Sequence, residues 1–280
     1  MWSWKPNEEK GRRQEVKRLI GRLPRTQGRE HQCDAERLGH LVREDDVWAV
    51  EPMIRLFEER PLSCRSLVAD ALGKIKDERA VDVLIAELVA PTGDHFLAAA
   101  ALGRAKCKGA VEPIIAAMLS QKPGRFPNHA YLGPYVKALA NIGCQGDRVD
   151  DALVFALQSV YSDRKVHQWE FDDVVKSVGK VGGAKTVPLL CMLFANSMTQ
   201  TWKLTPVLME LETRLGRQVM VELLVAELHC ADISAMGAAI VLGKMDWKPT
   251  SEEDKSLLKS ALGKYECLRN QWKEYDRSAG

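Results

Sequence analysis

The eight residues GKVGGAKT at 179–186 come within one position of the phosphate-loop pattern GxxxxGK[ST], with Ala184 where the second Gly belongs. Such a loop works because backbone N–H groups at the end of a strand wrap a phosphate while the Lys reaches its oxygens. Adjacent carboxylates invite a second kind of chemistry, proton transfer, as at Asp45-Asp46, Asp150-Asp151, Asp172-Asp173 and Glu252-Glu253. Neighbours in sequence do not face one another on a helix, so this spacing makes first-turn charges or solvated faces and no acid–base dyad. A third kind is metal ligation, for which His31, Cys33, Asp34 and His40 form the one local cluster. Their spacing fits no zinc pattern, and they read as loop and helix-start residues. The seven cysteines lie at least 31 residues apart, so no CxxC pair exists. Neither GxSxG nor HExxH occurs. No catalytic, cofactor-binding or metal-binding residue is assigned on these grounds, and no cofactor is expected.

The elements that position these residues come from a repeat. ALGKIKDERAVDVLIAEL (71–88) recurs as ALGRAKCKGAVEPIIAAM (101–118) and SVGKVGGAKTVPLLCMLF (177–194), and more loosely as RLGHLVREDDVWAVEPMI (37–54). ALANIGCQGDRVDDALV (138–154) fits with one inserted residue. The column formed by Gly39, Gly73, Gly103, Ala140, Gly179, Glu212 and Gly243 steps by 34, 30, 37, 39, 33 and 31 residues, one helical hairpin per step. Before the column lies an Ala-rich helix, thin enough for close neighbours. After it come a short polar turn and a second helix with Val81, Leu84, Ile85 and Leu88 on one face. Pro52, Pro113 and Pro188 fall in the first turn of second helices, where the missing N–H costs nothing. GKVGGAKT aligns with GKIKDERA (73–80), so a helix precedes it and a repeat turn is predicted there.

WKPNEEK (4–10) and WKPTSEEDK (247–255) echo each other at the two ends of the chain. In the second copy Thr250 can cap a helix, with Glu253 completing a capping box. In the first, Asn7 can cap. Both announce a second helix, so the chain opens half a repeat in. These segments resemble the short HEAT-like repeats of the phycobilisome-lyase (PBS lyase) type found in bacterial proteins, ALGKIKDERAVDVLIAEL most clearly. MDWKPTSEEDKSLLKSALGKYECL (245–268) resembles a Trp-Lys-Pro variant of them. The resemblance extends over residues 34–270. It implies an all-α, right-handed α-solenoid of about seven helical hairpins, with second helices on the concave side. The expected organisation is a basic N-terminal half repeat or cap (1–33), a repeat array (34–245) and a C-terminal half repeat and cap (246–280).

The longest joint between repeats, SQKPGRFPNHAYLGPY (120–135), and two others, SDRKVHQWE (162–170) and SMTQTW (197–202), carry an aromatic and basic set. In a solenoid such insertions gather on one edge. Phe126, His129, Tyr131, Trp169 and Trp202, with Arg125, Arg164 and Lys165 beside them, are the candidate partner-binding residues, since Trp, Tyr and Arg dominate binding hot spots. The alternative is that the aromatics fill gaps between irregular repeats. KGRRQEVKRLIGRL (10–23) is amphipathic; it reads as a cap, or as a helix for a membrane surface, RNA or an acidic partner. Residues 1–30 hold nine Lys/Arg against four Glu, yet the whole chain balances 40 basic residues against 38 acidic. That balance, with Glu51, Asp82, Glu112 and Asp150 near second-helix starts, argues against nucleic acid. Without an apolar leader or a membrane span, a cytoplasmic protein with reduced thiols is expected. The expected role is a non-catalytic scaffold for protein–protein interaction. The resemblance also implies two alternatives: a bilin lyase or lyase-partner subunit, and a nucleic-acid-binding HEAT-like protein.

Overall fold

The structure, a computed structural model, describes residues 6–59, 62–75, 77–91, 93–121, 132–162, 168–196, 201–230 and 232–278. Side chains are described for these residues apart from 6, 7, 62–64, 162, 168, 169, 196, 201, 202 and 268–278. Among the described residues the fold is all-α, with fifteen α-helices and no strand. After α1 (Pro6–Arg22) come seven hairpins. They are α2/α3 (Gly28–Leu41, Val50–Glu59), α4/α5 (Leu62–Leu72, Glu78–Val89), α6/α7 (His95–Ala105, Val111–Leu119) and α8/α9 (Gly133–Ile142, Asp147–Ser162). The last three are α10/α11 (Gln168–Val181, Val187–Asn196), α12/α13 (Thr201–Leu215, Arg217–Leu228) and α14/α15 (Ser234–Lys244, Glu252–Ser278). This is the helical-hairpin repeat of the α-solenoid class. The chain divides into two compact units, one of residues 1–121 with 137–144, the other of residues 122–136 with 145–280.

In the first unit, first helices stack on first helices, α2 on α4 and α4 on α6. The glycine column explains how. A Cβ at Gly73 would run into the Ala101 carbonyl, and one at Gly103 would lie 2.6 Å from the Ala138 Cα. Two backbones meet where one side has no Cβ and the other only a methyl. The second helices bury one stripe, as with Ala80, Leu84 and Leu88 of α5, while Val81 and Ile85 are half-buried beside it. Three of these helices, α3, α7 and α11, are entered through a 3-10 turn that ends one residue before them. Basic side chains close the gaps between hairpins: Lys74 donates to the Gly39 carbonyl and Arg104 pairs with Asp70.

In the second unit the stacking runs from α10 to α12 and then changes. Helix α14 packs against α11, α13 and α15. It is buried on nearly every side, including Ser234, Ala235, Met236, Gly237, Ala238, Ala239, Val241 and Leu242. The contact that permits this is Gly237, where a Cβ would strike the backbone of Cys191 in α11. Gly243, the column position of this repeat, has open space around it. The close approach has moved six residues along the helix.

The helix starts differ from the sequence expectation at both echoed segments. Helix α15 begins at Glu252, so Ser251 caps it by accepting from the Asp254 N–H at 3.0 Å, and Thr250 lies outside. Trp247 ends the preceding helix: its N–H bonds the Leu242 carbonyl while Asp246 takes the left-handed conformation, a Schellman stop. Helix α1 begins at Pro6, which places Asn7 inside its first turn and not at a cap.

Candidate interaction edge

Arg125, Phe126, His129, Tyr131, Arg164 and Lys165 lie outside the described residues. Trp169 and Trp202 belong to the first turns of α10 and α12, with side chains outside the described set. The residues that follow three of these aromatics are described. The N–H of Leu132, next after Tyr131, donates to Oε1 of Glu170, next after Trp169, at 2.9 Å. That carboxylate is only 4% exposed. Nζ of Lys203, next after Trp202, donates to Asp172 Oδ1 and Oδ2 at 2.6 and 2.8 Å. Asp172 lies two residues beyond Glu170 in α10, so the chain entering α8, α10 and α12 is joined at neighbouring points within the second unit. Pro206 stands inside α12 and cannot donate to the Trp202 carbonyl.

The first unit anchors its joints by the same means. Glu87 of α5 accepts from the Asp94 N–H at 2.7 Å and from Arg65 at 2.6 Å. Arg65 also donates to the Phe57 carbonyl at 3.0 Å and lies over the Phe57 ring, 4.4 Å from its centroid. Just before the joints, second helices leave apolar side chains in water: Val89 of α5 is 61% exposed, Leu119 of α7 45%, and Tyr161 of α9 36%.

The near-phosphate loop is a repeat turn, as its alignment predicts. Helix α10 precedes it, and an internal carboxylate occupies the place of an anion. Asp150 accepts from the Gly183 N–H at 2.5 Å, and Lys185 pairs with Asp151 at 2.7 Å. A Cβ on Gly183 would collide with the Asp150 carboxylate. Asp150 is the fourth residue of α9 and is buried, where the aligned Asp82 of α5 is exposed. Burial pushes its carboxyl up from the ordinary value despite these backbone donors. No sequence-local signal marks this pair, whose partners are 33 residues apart.

The basic stretch is occupied from within. Arg12 pairs with Asp46 at 2.5 Å and with Glu9, and its side chain and that of Asp46 are 2% and 0% exposed. Arg13 reaches Glu9 and Asp45, Arg18 reaches Glu15, and Arg22 reaches Glu30 and Asp34. Lys17 lies over the Trp48 ring, whose Nε1 donates to Asp46. The apolar face of the helix, Val16, Leu19 and Leu23, is wholly buried. Of the metal-capable cluster, His31 and Asp34 turn inward on α2, His31 against the Thr26 hydroxyl at 3.1 Å, while Cys33 and His40 are exposed.

Helical hairpins that stack through Gly–Ala and carboxylate contacts, most of them with one buried stripe on the second helix, define a helical-hairpin repeat protein. Residues 65–89, which span most of the α4/α5 hairpin, match the PBS lyase HEAT-like repeat. A crystal structure of an engineered protein is similar at 15% identity with a TM-score of 0.49, over 89% of this chain and 72% of that one. No curated protein sequence matches. Among the described residues no helix is long and apolar enough to cross a membrane.

Proposed function

We propose that this HEAT-like repeat protein is a non-catalytic scaffold, and that it holds a protein partner along the edge formed by the joints at 120–135, 162–170 and 197–202. The observation that supports the reading most directly is the pair of contacts Leu132–Glu170 and Lys203–Asp172, which join the residues following Tyr131, Trp169 and Trp202. The joints carry Lys122, Arg125, Arg164 and Lys165 against Asp163 and Glu170, and Glu170 already accepts from the Leu132 N–H. This basic excess favours a partner segment that carries carboxylates beside apolar groups. Pairing of Arg12, Arg13, Arg18 and Arg22 with carboxylates of α1, α2 and the α2–α3 turn weakens the case for nucleic-acid binding.

The test is affinity capture from host lysate with mass spectrometry, comparing the wild type with a variant in which Phe126, Tyr131, Trp169 and Trp202 are Ala. The variant must first match the wild type in helicity and melting. Proteins retained by the wild type and lost by the variant are the expected result. Identical sets would show that the aromatics pack between repeats and that the edge is not the binding face.

A further inference from the structure

We propose that the Asp150 carboxyl is an acid-tightened latch on the turn between α10 and α11. Protonated, it sits under a closed turn; ionised, it favours an open turn in which water reaches it. The device lies wholly within the second unit and does not depend on the partner-binding reading.

Side chains from three elements build this turn. Asp150 of α9 accepts from the Gly183 N–H at 2.5 Å and from the Lys185 N–H. Thr186, wholly buried, donates its hydroxyl to the Gly183 carbonyl at 2.7 Å, and Arg214 of α12 donates to the Gly182 carbonyl. Gly183 lacks the Cβ that would lie 2.5 Å from one Asp150 oxygen and 2.9 Å from the other, so its backbone closes directly over the carboxyl. An ionised carboxylate shut away in this manner needs a cation of its own or a full set of donors. The cations at hand are engaged elsewhere: Lys185 Nζ pairs with Asp151 at 2.7 Å, and Arg214 holds the turn carbonyl and feels Glu210. Asp147, on the same helix, adds like charge. Of the other elements packed on α9, α11 carries no charged residue. In α10, Lys176 and Lys180 are exposed and Asp172 is paired with Lys203. Burial outweighs the two backbone donors and holds the Asp150 carboxyl above its ordinary value. The closed turn therefore prefers the proton. Closure is fully favoured below the ordinary 3.8 and weakens as pH rises through the raised value.

The experiment follows backbone amide exchange over 183–187 in the full chain between about pH 4.5 and 7.5 at low ionic strength, each rate divided by that of an unstructured peptide at the same pH. Protection in the wild type should fall severalfold across this range, while the amides of α13 change little. Asp150→Asn keeps an oxygen for the Gly183 N–H but has no proton to lose, so its protection should be equal at both ends of the range. Two exposed charges test the same device and leave the backbone bonds of the turn in place. Asp147→Asn removes like charge and should move the fall to lower pH; Lys185→Met removes a cation and should move it to higher pH. Constant protection in the wild type overturns the latch, and so does a fall that persists in Asp150→Asn. Should Asp150→Asn not fold, the charge variants decide: a midpoint that stays fixed in both, or moves in the opposite senses, overturns the proposal.

Discussion

Two buried carboxylates illustrate what single residues do here, and they answer pH in opposite senses. Asp46 is fully buried, and burial alone would raise its carboxyl. The Arg12 guanidinium, the Arg43 N–H and Trp48 outweigh that and hold it below the ordinary value. Glu9, hydrogen-bonded to Arg12 and Arg13, is lowered to about 2. Groups depressed in this way stabilise the fold above their ordinary values, and the stabilisation is lost as pH falls from 4.5 toward 2. Melting should therefore drop over that window, and the drop should shrink in Glu9→Gln, checked by thermal scans between pH 5 and 2.5. Removing one partner of the buried pair, by Arg12→Ala or Asp46→Ala, should cost about 3–5 kcal/mol. The double variant should cost less than the sum, as read from urea unfolding. Asp150 has the reverse sign: its carboxyl is raised, so its ionisation above 3.8 costs stability as pH rises. Asp150→Asn should gain stability relative to wild type at pH 7 compared with pH 4, because the amide oxygen still accepts from Gly183. An equal difference at the two pH values would contradict this.

At the scale of elements the glycines sort by what they meet. Gly103→Ala and Gly237→Ala push a methyl into the backbone of a packed helix and should cost about 1–3 kcal/mol each. Gly11→Ala and Gly39→Ala place the same methyl in open space within helices α1 and α2 and should be neutral or add up to about 1 kcal/mol. The four variants look alike in sequence, and differential scanning calorimetry separates them. Gly103 sits in the column that the repeat alignment singles out; Gly237 does not. Its role arises because α14 crosses α11 and not the preceding first helix, a choice that no window of local sequence expresses. The one-residue displacement of the α15 cap, from Thr250 to Ser251, has a similar origin, since both residues are competent and the Schellman stop at Trp247 decides where the next helix can start.

Within each unit most contacts run between neighbouring hairpins, with α14 reaching past α12 and α13 to α11, so a lesion should stay near where it is made. Gly237→Ala is expected to raise hydrogen exchange in α11 and α13 to α15 and to leave α2 through α6 unchanged. A uniform rise along the chain would show cooperativity beyond nearest neighbours. Much of the architecture was legible beforehand because it is periodic. A hairpin of about thirty residues, written repeatedly with a thin first helix and a one-faced second helix, can bury its apolar stripes only against its own kind. The amphipathic helix 10–23 was legible for the same reason, but the fate of its charges was not: Arg12 finds Asp46 across 34 residues. The joints were legible as irregularities, and the aromatic and basic residues on them as a proposal about binding. The connection among their exits was not, since Leu132 reaches Glu170 across 38 residues and Lys203 reaches Asp172 across 31.

By itself the sequence determined the all-α repeat, its period and the helical turn in place of a phosphate loop, because each follows from side-chain period and turn chemistry within one repeat. Only the tertiary structure decided which carboxylate meets which donor, which glycine bears a neighbouring backbone, and which helix α14 lies against. Those outcomes depend on how one hairpin seats on the next. That seating is governed by close packing and by the need to satisfy buried charge between residues far apart in the chain.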